Sequence, residues 1–245
     1  MAGISWKKSE RQEMSDRLNK FQVIFILIVY FGGYLLLGQE VIPAFFLKGL
    51  DVNHILIYLD VLQIVILAIV IAVCYGWYGR QYKRINKHPV RNFGIILFSL
   101  LLLYTSMILI EMYIISPLGL SEAENQVNND LMFHYDPLGE TFGAVIFAPI
   151  VEETVFRGCI FQPLRKKHGF LFSACIAGFL FGFLHIIASI TDGNFQNMLY
   201  MIEYGILGFI LAIPFELTDS LYGSISLHAL YNGITVLIML LTTGR

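Results

Sequence analysis

Glu152, Glu153 and Arg157 stand within one apolar run of the sequence, 141–161, where three ionisable side chains need a reason. Near the centre of a bilayer each would cost roughly 2.5–3.5 kcal/mol even on lenient insertion scales. Glu153 and Arg157 are four residues apart with the acid first, so on a helix they share a face and can neutralise each other. Glu152 projects about 100° away and has no local partner. An unpaired carboxylate inside a membrane is a functional candidate by default. In 170–190 the one strongly polar side chain at mid-depth is His185, with Phe181 one turn before it on the same face. In 222–242 His228 and Asn232 are again four apart and project from one stripe. At about 1.5 Å of rise per residue from the nearest basic ends, Glu152 lies about 20 Å deep, His185 slightly deeper and His228 about 10 Å, depths that permit a shared cavity. A carboxylate, two imidazoles and an amide can move protons, ligate a metal or donate hydrogen bonds. Singly, each has a structural explanation as an ion pair, a helix-bridging histidine or a chance His-x-x-x-Asn. Their concentration in 141–245, at spacings that each give one face, is what points to a site.

The elements that must position these groups follow from composition. Of 245 residues 57% are hydrophobic and 14% charged, against about 25% charged in soluble domains, so lipid is the solvent expected around most of the chain. The apolar residues fall in runs near the roughly 20 residues that cross a hydrocarbon layer as helix, and do not alternate as barrel strands would. The fold class is therefore all-α, a polytopic bundle of about seven transmembrane helices (six to eight), over 21–38, 55–79, 93–116, 141–161, 170–190, 198–216 and 222–242. Asp60, Gln63, Glu111, Glu203 and Glu216 lie nearer the ends of these spans and are read as structural, with Glu203 the first exception to consider. Cys74, Cys159 and Cys175 show neither a disulfide framework nor paired metal-ligand spacing.

Basic residues gather before the first span (Lys7, Lys8, Arg11, Arg17, Lys20), in 80–91 and in 165–167, while the intervening connections hold only Lys48. The positive-inside bias then sets the N-terminus in the cytoplasm of a multi-pass plasma-membrane protein. The first apolar stretch reads as a retained span and not a removed signal peptide. One integral membrane domain, 1–245, is expected. Its acidic 117–140 connection separates N-terminal spans (1–140) from motif-bearing helices (141–240).

Glu152-Glu153-Thr154-Val155-Phe156-Arg157-Gly158, Phe181-Gly182-Phe183-Leu184-His185 and His228-Ala229-Leu230-Tyr231-Asn232 resemble, in order and spacing, the E-E-x-x-x-R, F-x-x-x-H and H-x-x-x-N motifs of the CAAX protease and bacteriocin-processing (Abi) family. The glycine-bearing stretch from Tyr204 to Phe209 and the lead from Ser224 into His228 are similar too. The resemblance implies an intramembrane endopeptidase without a metal or other cofactor. In it Glu152 is the general base, His185 helps hold the water, His228 and Asn232 stabilise the oxyanion, and Glu153, Arg157 and Phe181 support them. A peptide or membrane-protein substrate and a lipid bilayer are the implied partners, nucleic acid is not, and bacteriocin processing or self-immunity is the implied setting.

Two rivals use the same residues. A zinc-dependent intramembrane protease could take Glu152, His185 and His228 as ligands, although the chain has no His-Glu-x-x-His. A non-catalytic membrane immunity or scaffold protein could keep the motifs without turnover.

Overall fold

A computed structural model describes residues 17–191 and 193–243, so Lys7, Lys8 and Arg11 of the expected basic cluster lie outside the described residues. Among the described residues every regular element is helical, as the apolar runs predict. In chain order these are α1 (Lys20–Phe46), α2 (Val52–Ile85), α3 (Pro89–Leu118), α4 (Glu124–Tyr135), α5 (137–168), α6 (Phe170–Thr191), α7 (Phe195–Thr218) and α8 (Leu221–Thr243). Six of them, α1, α2, α3, α6, α7 and α8, are long and apolar enough to cross a membrane. That is one fewer than the working count of seven, because Glu152, Glu153 and Arg157 break the apolar run of α5. The outer faces carry exposed large apolar side chains such as Phe21, Phe45, Phe98, Leu101 and Leu241, as lipid contact requires.

Helix starts are chemically marked. Asn19 and Gln22 form a reciprocal capping box at α1, each side chain accepting from the other's backbone N–H at 2.9 and 3.0 Å. The Asp51 carboxylate accepts from Asn53 and His54 N–H at α2, and that of Asp136 from Gly139 N–H at α5. The acidic 117–140 connection is itself largely helical. α4 is pinned to the start of α7 by Tyr200 Oη donating to Ser121 O at 2.7 Å and Glu124 N donating to Asn197 Oδ1 at 3.2 Å.

Four stretches run in the wider π register: Ile28–Val41 in α1, Glu111–Ile115 in α3, and Gly143–Phe147 and Thr154–Phe161 in α5. Each ends two residues before a proline, at Pro43, Pro117, Pro149 and Pro163. A proline has no N–H to continue the ladder, and its ring collides with the carbonyl four residues back, so widening the preceding turn relieves the clash. The widening leaves the carbonyl five residues before each proline without its helical donor. Gly38 O, five before Pro43, accepts instead from Tyr58 Oη at 2.9 Å, tying α1 to α2.

α6 and α7 approach most closely, and glycines permit it. A Cβ at Gly182 would lie 2.8 Å from Gly205 N and Met201 O, and one at Gly178 would lie 2.6 Å from Gly205 O. Since backbone cannot swing aside as a side-chain tip can, only hydrogen fits there. The Tyr204 to Phe209 stretch thus serves packing, and it brings Tyr204 against His185.

Candidate active site

The two adjacent acids of α5 go to different surroundings, as the helical angle between them predicts. Glu153 is wholly buried. Its Oε1 receives Arg157 Nη1 at 3.1 Å and His228 Nδ1 at 2.9 Å, and Ser224 Oγ donates to its Oε2. Arg157, also 0% exposed, donates through Nη2 to the carbonyl of Gly208 on α7 and lies over the Phe181 ring, 5.4 Å from its centroid. Glu153 and Arg157 therefore join α5, α6, α7 and α8 through one carboxylate and one guanidinium.

Glu152 instead lines a cavity of about 1670 Å³. Tyr30 Oη of α1 donates to its Oε1 at the long distance of 3.5 Å. His185, His228 and Asn232 line the same cavity, so the structure brings together the carboxylate, both imidazoles and the amide. His185 is stacked between Phe181 and Tyr204, with ring centroids at 4.4 and 4.7 Å. Its Nδ1 lies 2.8 Å from the carbonyl of Phe181. A carbonyl only accepts, so Nδ1 carries the hydrogen and Nε2 is the free nitrogen. In His228 Nδ1 is likewise committed, to Glu153, and Nε2 is left for the cavity. Phe181 is the common wall, 6.1 Å from the His228 ring and beneath Arg157.

Asn232 holds its position through a backbone irregularity. The N–H of Ala148 bonds to Gly143 O in the π register, so the next donor in line for Ala144 O would be residue 149, which is proline. Asn232 Nδ2 supplies the missing donor at 2.7 Å. One amide hydrogen is thereby spent, and the second remains for the cavity.

Among the described residues no group of three or more His, Cys, Asp or Glu side chains is arranged to hold a metal ion. Glu152, His185 and His228 share the cavity without forming a ligand cluster. Cys74, Cys159 and Cys175 are free thiols.

Sequence reasoning singles out neither Tyr30 nor the cavity placement of Asp60, Gln63 and Glu111, which it assigns to span ends, and it marks only Glu203 as an exception. Their position on the wall depends on which face of α1, α2, α3 and α7 turns inward. No spacing within those helices marks it.

The molecule is thus a polytopic membrane helix bundle in which a carboxylate, two imidazoles and an amide face one cavity between the helices. Residues 135–234, the motif-bearing part of the chain, match the family described as type II CAAX prenyl endopeptidase Rce1-like. A protein of Bacillus subtilis (strain 168) named "Putative membrane peptidase YdiL" is 28% identical over 95 residues, which cover 39% of this chain and 35% of that protein. The similarity therefore spans about a third of the relative's length. No solved structure matches the chain significantly.

Proposed function

We propose that the protein is an intramembrane endopeptidase in which Glu152 activates a water for attack on a peptide carbonyl. The observation that carries this reading is the division of labour between neighbours. Glu153 is consumed by Arg157, His228 and Ser224, while Glu152 faces the cavity with one long contact. In the proposed step Glu152 takes one water proton and His185 Nε2 accepts a hydrogen bond from the other. The water oxygen bonds to the carbonyl carbon. The resulting oxyanion is met by the free Asn232 N–H and by His228 Nε2–H. Nε2 can donate only when His228 carries both protons. In that state the two cations, Arg157 and His228, balance the two carboxylates, Glu152 and Glu153. Glu152 then returns its proton to the amine as the C–N bond breaks.

No serine, cysteine or metal enters the scheme. Excess chelator should leave turnover unchanged, and activity lost on chelation and restored by zinc would favour a metalloprotease. The same reading has the N-terminus and the 80–91 connection on the cytoplasmic side, which external labelling of a cysteine at position 84 would test. The deciding experiment compares the membrane peptides of cells carrying the wild type or Glu152→Gln by mass spectrometry. The variant should accumulate normally while cleavage products vanish and an intact precursor builds up. Identical peptide profiles, with any cellular phenotype retained, would assign the chain to a non-catalytic immunity or scaffold role.

A further inference from the structure

Away from its two histidines, the wall of the cavity carries charge of one sign. Among the described residues that line it, eight are Asp or Glu and none is Lys or Arg. Two groups stand out among them. Asp60 of α2 and Asp136, just before α5, converge on the backbone of Gly139, where an added Cβ would collide with an oxygen of each, and Glu140 follows one residue on. On other helices of the wall, Glu111 of α3 and Glu203 of α7 are near enough for their charges to interact. The ion pairs of Asp51, Glu216 and Asp219 lie elsewhere, and Glu153, itself off the wall, pairs with Arg157 and with His228. Tyrosines, including Tyr34 and Tyr204, line the same wall.

Like charges gathered in a cleft with low-dielectric walls repel one another, focus a negative potential and concentrate cations. A ligand bringing positive charge relieves that repulsion, and an acidic one adds to it, so the wall discriminates by repulsion as well as attraction. We infer that this cavity selects a cationic peptide segment, whose Lys or Arg side chains meet the carboxylates around Asp60, Asp136, Glu140, Glu111 and Glu203 while its backbone reaches Glu152. This substrate class rests on the endopeptidase reading of the same cavity. The selection itself is a property of binding and can be measured without turnover.

The test uses the full chain with Glu152→Gln, reconstituted in nanodiscs of uncharged phosphatidylcholine. The probes are fluorescein-labelled short peptides of one apolar framework whose polar positions are all Lys, all Gln or all Glu, and anisotropy reports binding. The Lys peptide should bind about tenfold or more tightly than the Gln peptide, with the advantage shrinking as salt rises, and the Glu peptide should bind least. Adding Glu140→Gln with Glu203→Gln should remove most of the advantage. Asp219→Asn, at the basic end and off the cavity wall, should leave it intact. Asp60→Asn with Glu111→Gln repeats the test if the first pair fails to fold. Equal binding of the Lys and Gln peptides, or an advantage that survives both pairs, overturns the inference. Since binding is read on an inactive variant, these outcomes are separate from failure of the protease reading, which would show as unchanged membrane peptides in the Glu152→Gln cells.

Discussion

Arg84 reaches Asp219 at 3.0 Å, and Arg165 grips Glu216 through Nε and Nη2 at 2.6–3.1 Å, so the basic end of the bundle is laced by ion pairs. At the opposite end Asp60, Asp136 and Glu140 gather at a cavity mouth whose lining holds no Lys or Arg among the described residues. The same contrast recurs on α5 one residue apart, between Glu153 in its buried cluster and Glu152 on the cavity wall. Paired charge here joins helices. Charge left facing the cavity is available to a ligand.

The largest effect that could break this comparison is expected from Glu153→Ala. It strands Arg157 without its counter-ion, a loss of about 3–5 kcal/mol for a buried pair that loses one partner. Membrane accumulation and thermal unfolding in detergent should both fall sharply, whereas Glu152→Gln should change neither. A Glu153→Ala protein as stable as wild type would erase the distinction between the two acids.

Asn232→Ala comes next, because Asn232 belongs to both sides of the comparison: it holds Ala144 O and offers a hydrogen to the cavity. Turnover should drop by about two orders of magnitude in kcat with little change in KM, as when an oxyanion donor is removed. A loss of stability with kcat intact would make it purely architectural. Gly182→Ala should then cost about 1–3 kcal/mol through forced separation of α6 from α7, measured as a lower unfolding temperature. Smallest is Arg165→Ala. Its pair with Glu216 is part-exposed, so unfolding should shift by no more than about 1 kcal/mol, and less in high salt. A collapse in this variant would show that the basic end is held by that ion pair and not by packing.

Much of the site was readable from spacing. The four-residue interval of Glu153 and Arg157 yields the observed pair, and the angle between Glu152 and Glu153 yields their separation. His185, His228 and Asn232 reach one cavity as their helical faces and depths allow. The partner of His228 was not readable, because a contact between helices carries no interval in the sequence. The π stretches did leave a signal that helical periodicity passes over, the prolines at 43, 117, 149 and 163. One of them explains what holds Asn232. Span counting faltered at α5 for the opposite reason: the groups that mark the site are the ones that lower its apolarity.

The one-turn interval between Glu153 and Arg157 also bears on how the chain is built into a bilayer. Because acid and base reside on a single segment, that segment carries its own counter-ion during insertion, before any later helix has been synthesised. α8 emerges after α5, bringing His228 and Ser224 to a carboxylate that is already paired. Biogenesis therefore has an order in which Arg157 never waits in lipid without its counter-ion, and completion of the cluster coincides with arrival of α8.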